Sequence, residues 1–390
     1  MRTKVLLVCF VVVVMVTVLS ACSGGGGGGG AAVERTTVSI PKTGQTTSYD
    51  ANTVKADDGA LQKGIAWPSP RFTDNGDSTI TDNLTGLMWL KDANVIQSHD
   101  AATPGSELDN DGTVGDGMVF WQTALDIIEV ANASGGHYSD WRLPNRNEMR
   151  SLIHYDQTDS STWLSGQGFQ NVPSGFYWTS SSYSASLAFV VYMIDGRLDT
   201  FGKAGEYYVW PVRGDGGSAV GALPRTGQPV SHDTNTIQRD DGALRKGVAW
   251  KTQRFIVSSS GTGTVVTDSL TGLVWPQEWA AGDGKVPWQT ALDTVVTLNT
   301  MTYLGHSDWR LPNVNELATL TNTANSNPRT WLIEPAQGFM NIPVSVPVYW
   351  TSTTNKSSPS QANVVDMSSG WAGGDLKSNL NLVITVRGGN

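Results

Sequence analysis

Two tandem α+β domains, each with two helices and a short twisted antiparallel sheet, are what the 390-residue sequence predicts. One observation is a duplication. Residues 41–67 read PKTGQTTSYDANTVKADDGALQKGIAW and residues 224–250 read PRTGQPVSHDTNTIQRDDGALRKGVAW, with 17 identities in 27 positions at an offset of 183. A period that long marks a copied domain, because solenoid repeats run at roughly 20–50 residues. Tryptophan pairs follow in order: Trp89 with Trp275, Trp121 with Trp288, Trp141 with Trp309, Trp163 with Trp331, Trp178 with Trp350. The other observation is that hydrophobic spacing changes twice within each copy, from hairpin-like to helical and back to strand-like.

The opening segment 41–67 is polar, with turn signals at Asp57-Asp58-Gly59 and Lys63-Gly64, and is expected to run extended onto the domain that follows. Asn75-Gly76 between two strand-like stretches signals a hairpin, and the strand pattern resumes at Leu84–Trp89. Trp121, Ala124, Leu125 and Ile128 fall on one helical face, repeated by Trp288, Ala291, Leu292 and Val295. Pro144 blocks a helix before it, Asn145 can cap the next, and Glu148 can close a capping box. A short second helix is therefore expected at 146–154, and Pro312, Asn313 and Glu316 repeat the signal. Strands are then predicted from Tyr177, over 188–193 and 197–201 around the turn Asp195-Gly196, and at 208–213.

The N-terminus carries Arg2 and Lys4, an apolar run from Val5 to Leu19, and then Ser20-Ala21-Cys22. A charged start and a short apolar stretch form a secretory signal. The closing cysteine resembles the lipobox of bacterial lipoproteins, which implies cleavage after residue 21, acylation of Cys22 and, with Ser23 following, the outer membrane. An uncleaved anchor is the other reading, and both tether the chain to a membrane. The expected organisation is a signal at 1–21, a lipidated Gly-rich linker at 22–40, a first domain with its extension at 41–214, a linker at 215–222, and a second domain with its extension at 223–390. Apart from Cys9 and Cys22 there is no cysteine, so the exported part has no disulfide, cysteine nucleophile or thiolate metal site. Without Arg2 and Lys4, about 24 basic residues face 35 acidic ones, a net charge near −11 that disfavours nucleic acid.

Asp140 to Asn145 (DWRLPN), Glu148, Tyr177 to Ser180 (YWTS) and the pair Arg213-Gly214 recur as Asp308 to Asn313, Glu316, Tyr349 to Ser352 and Arg387-Gly388. Together these are similar to the Lcl C-terminal domain-like family of bacterial surface proteins, over roughly 70–214 and 253–390. The resemblance implies a C-type-lectin-like fold and, for the family's collagen-like namesake, adhesion to sulfated polysaccharides. A net charge near −11 would repel such a glycan, so the fold transfers better than the ligand.

Candidate sites are few. Residues 107–117 (ELDNDGTVGDG) lie in an insertion that the second copy lacks, and Asp109, Asp111 and Asp116 make a candidate Ca²⁺ loop, with a solvated acidic loop as the alternative. The sugar-binding triplets of calcium-dependent lectins are missing. Glu148 and Glu316 are explained by capping boxes, and Arg142 and Arg213 by ties to loops. The five histidines occupy non-equivalent places in the copies. A binding face is expected in the late loops, from Tyr183, Tyr192, Arg197 and Asp199 in the first domain and Lys356, Trp371, Asp375 and Lys377 in the second. No resident cofactor beyond possible Ca²⁺ is expected. The expected role is a non-catalytic binding or adhesion protein of the cell envelope with a glycan or protein ligand. The alternatives are a periplasmic partner-binding component and an enzyme related in fold to formylglycine-generating enzymes, which need the reactive cysteines this chain lacks.

Overall fold

The computed structural model describes residues 37–102, 116–216, 220–279, 284–345 and 347–389. In the first unit the order is α1 (Asp58–Leu61), β1 (Phe72–Asp74), β2 (Thr79–Asp82), β3 (Met88–Leu90), α2 (Val95–Ala102), β4 (Met118–Phe120), α3 (Trp121–Ala133), α4 (Arg146–Ser151), α5 (Ser160–Gly166), β5 (Phe176–Ser182), β6 (Leu187–Tyr192), β7 (Leu198–Gly202), β8 (Glu206–Tyr208) and β9 (Val212–Arg213). The second unit follows with α6 (Asp241–Leu244), β10 (Phe255–Ser260), β11 (Gly263–Asp268), β12 (Val274–Pro276), α7 (Trp288–Thr300), α8 (Val314–Ala318), α9 (Pro328–Leu332), β13 (Val348–Thr354), β14 (Gln361–Asp366) and β15 (Ala372–Leu376). The predicted helix at 146–154 is shorter, and each unit holds more helical turns than the two expected. The brief ones at α1 and α6 follow Asp57 and Asp240, whose carboxylates cap them.

The units share one sheet. Its strand order is β13-β14-β15-β7-β6-β5-β8-β4, joined across the units by the antiparallel pair Ala372–Leu198. Because side chains alternate along a strand, this sheet has two buried faces of different kind. One carries Tyr177, Phe189, Val191 and Leu198 beside Tyr349, Val365 and Ala372, in a core common to both units that also holds Trp89, Trp210 and Trp275. The other carries two separate cores. Helix α3 covers Trp178, Ala188 and Val190, and α7 covers Trp350, Ala362 and Val364. The indoles under α3 are tied as well as packed: Trp121 donates to the Thr179 carbonyl at 2.9 Å and Trp178 to the Val119 carbonyl at 2.7 Å. Trp288 and Trp350 repeat this toward Thr351 and Val286. Burying one such ring contributes roughly 4–6 kcal/mol.

The two opening segments differ from expectation. Each lies between the units and bonds to both. The Gln45 carboxamide pairs with the backbone of Thr354 in the second unit at 2.9 and 3.0 Å, while the Thr43 carbonyl accepts from Tyr155 of the first. The second extension answers with Gln228 accepting from the Ser182 N–H at 2.7 Å, and with the Thr226 carbonyl accepting from Thr323. Asp58 is buried between the hydroxyls of Thr43 (2.7 Å) and Thr353 (2.6 Å), and burial pushes its pKa up to about 7. Asp241 sits likewise between Thr226 and Ser181, pushed up by burial to about 6. The same symmetry governs the connections. Gly221 in the linker donates to the Leu84 carbonyl, and Val38 near the start of the described chain donates to the Leu270 carbonyl.

Candidate ligand face at the junction of the units

The most recognisable sequence motif builds a structural clamp. Asn145 caps α4 by accepting from Glu148 N–H at 3.0 Å, and Glu148 accepts from Asn145 N–H at 2.8 Å. Both Glu148 oxygens also accept from the Arg142 guanidinium at 2.7 Å, and Arg142 reaches the Gly214 carbonyl at 2.8 Å. Arg310, Glu316, Asn313 and Gly388 repeat every bond. Both oxygens of each glutamate are thus taken up by a bidentate arginine and a capping N–H, which gives the two carboxylates a structural task. Asp140 and Asp308 pair with Arg213 and Arg387 at 2.6 and 2.8 Å, tying the closing segment of each unit to the first residue of the motif.

Of the proposed calcium ligands, Asp109 and Asp111 lie outside the described residues, as does Cys22. Asp116 is described, and one of its oxygens accepts from Met118 N–H at 2.8 Å. Among the described residues no group of three or more His, Cys, Asp or Glu side chains is placed to hold a metal, and no helix is long and apolar enough to cross a membrane.

The expected binding residues come together in part. The Ala372–Leu198 register sets Gly373 beside Arg197 and carries Asp199 to the side of Trp371, so residues from both units share one sheet face. That is the face whose flanks are covered by α3 and α7, and Tyr192, Arg197, Asp199, Trp371 and Asp375 are all partly exposed on it. Tyr192 stacks on Phe176 with ring centroids 4.6 Å apart, and the Arg197 guanidinium lies over both rings at 4.9 and 5.3 Å. No carboxylate among the described residues forms a salt bridge with Arg197. Asp375 is oriented by Asn379 at 2.8 Å and Asn381 at 2.6 Å.

Two expected residues have other employment. The Tyr183 hydroxyl donates to the Ser326 carbonyl at 3.0 Å, a tie between units. Lys377 turns toward α7, with its ammonium 4.0 Å from the Trp288 ring and 4.8 Å from Tyr49, and burial lowers its pKa to about 8. Lys203 takes the corresponding place over Trp121 at 3.6 Å, also lowered by burial to about 8. Sequence reasoning missed Phe176 and Gly373. A Cβ at Gly373 would sit 2.8 Å from the Trp371 ring and 3.0 Å from Arg197 Cγ, so only glycine leaves room for both side chains. Paired glycines inside a strand pattern were the available signal.

Compared with known families, the chain matches the Lcl C-terminal domain over residues 78–213 and 264–387, about two thirds of its length. No curated protein matches it.

Proposed function

Because the chain belongs to the Lcl C-terminal domain family, we propose that it is a non-catalytic binding protein of the cell envelope whose ligand lies across the junction of its two units. The observation that carries this reading is the meeting of Trp371 and the Tyr192–Arg197 stack on one partly exposed sheet face. Aromatic rings flanked by a guanidinium and two carboxylates suit a glycan, whose apolar ring face stacks while its hydroxyls take polar partners. In this reading each unit is a lectin-like module that binds without the calcium triplets of true C-type lectins. Acylation at Cys22, followed by the run of seven glycines from Gly24 to Gly30, would tether the pair at the outer membrane.

The test is a glycan array probed with the mature chain, wild type against Trp371→Ala and Arg197→Ala. Hits abolished by both substitutions support the junction face, and hits indifferent to both place the ligand elsewhere. Feeding cells a labelled fatty acid checks the anchor separately: incorporation that disappears in Cys22→Ser supports it, and an unlabelled wild-type protein removes it.

A further inference from the structure

Many of the contacts between the units are made in duplicate. Asn313 donates to the Lys63 carbonyl and Asn145 to the Lys246 carbonyl, while Asn315 and Asn147 donate to the carbonyls of Pro41 and Pro224. On the outside of the pair, Gln289 donates to Asp50 and Gln122 to Asp233, each at 2.8–2.9 Å. Every unit therefore donates one extension and receives the other. Recognition is chemical as well as steric, because Asp58 and Asp241 are buried with hydroxyl partners supplied half by their own extension and half by the opposite unit. Without the opposite unit, each acid loses one of its two donors.

The pairing at Arg146 departs from the symmetry. Arg146, fully buried in α4, donates to the carbonyl and hydroxyl of Thr321 in the second unit at 2.9 and 2.6 Å and lies over the Phe189 ring. Val314 holds the corresponding place in α8, and Ile153 corresponds to Thr321. Two first units brought together would bury Arg146 against Ile153, which offers no side-chain acceptor. The surface thus favours a first unit meeting a second over two first units meeting.

We propose that the inter-unit surface is a portable recognition surface, and that the partner it fits is a second copy of this chain, whose complementary unit is accepted in place of the covalently linked one. The only covalent route between the units is the linker following Arg213, and exchange of equivalent parts between copies is a low-cost route to assembly.

The experiment places a protease recognition sequence at residues 217–219 and cuts the folded protein. The halves are expected to remain a one-to-one particle at micromolar concentration by native mass spectrometry. Mixing isotopically labelled and unlabelled cut protein should yield particles with one half of each kind, and Gln45→Ala with Gln228→Ala should speed that exchange at least tenfold. Halves that separate on cutting, that never mix, or that mix at the same rate in the glutamine variant overturn the proposal. Arg146→Val supplies a second readout: first-half homodimers, absent from the cut wild type, should appear, and a cut variant with none counts against the proposed selectivity.

Discussion

The bonds that hold the two units in shape and the proposed ligand face at their junction follow opposite rules. In the structural bonds, within units and between them, the two copies match closely, from Asp58 and Asp241 to the Arg142–Glu148 and Arg310–Glu316 pairs. On the junction face they diverge. The turns Tyr192–Gly196 and Asp366–Gly370 correspond, yet Tyr192 is answered by Asp366, Arg197 by Trp371 and Phe201 by Asp375. Lys203 and Lys377, which belong to the packing under the helices, are kept. Residues that hold the pair together repeat because symmetry asks the same of both, whereas a face proposed to meet one ligand has no need of two identical halves.

The largest effect should come from breaking the buried ion pairs. Arg142→Met and Arg310→Met each leave a buried glutamate without its cation, and each should cost about 3–5 kcal/mol. Because the core is common to both units, either change should lower one shared urea transition. Two separated transitions in the wild type would show that the units unfold independently.

A pH titration comes next. The carboxyls of Asp58 and Asp241 hold their protons more tightly folded than unfolded, since burial raises them from 3.8 to about 7 and about 6. Between those limits the unfolded chain releases protons the folded chain retains. Stability from these groups is full below about pH 4, falls as pH rises, and levels off above about pH 7, by a few kcal/mol in all. Asp58→Asn combined with Asp241→Asn should flatten that slope in melting temperatures taken from pH 4 to 8, and an unchanged slope would assign it to other groups.

Trp371→Ala sharpens the other side of the comparison. It should weaken ligand binding at least tenfold while costing only about 1–2 kcal/mol of stability, because the ring is partly exposed and packs at the edge of one core. Smallest of all, Asn52→Ala and Asn235→Ala, which remove exposed hydrogen bonds to Asp293 and Asp126, should each shift stability by no more than about 0.5 kcal/mol in urea titrations.

Much of this was legible in residues 41–390. The hairpin at Asn75-Gly76, the face of α3 and the capping boxes at Asn145 and Asn313 are local, and local signals survive in a single sequence. The crossing of the extensions was not. A segment repeated at constant offset meets the same surface whether it docks on its own unit or the other, so Thr43, Asp58 and Thr353 read identically in either arrangement. The shared sheet was hidden for a related reason: Leu198 and Ala372 look like ordinary strand residues until β7 and β15 are set side by side. The junction face was half visible, because Tyr192, Arg197 and Trp371 stood out by type while Phe176 and Gly373 matter through their neighbours.

Val38 does for the second unit what Gly221 does for the first, and Ser39, Ile40 and Gly389 line one cavity of about 190 Å³. Head and tail of the described polypeptide therefore meet, and the backbone traces a nearly closed ring. A gene rearranged to begin at residue 220, with 389 spliced through a few residues to 37, should encode the same object with its loose ends moved to the opposite pole.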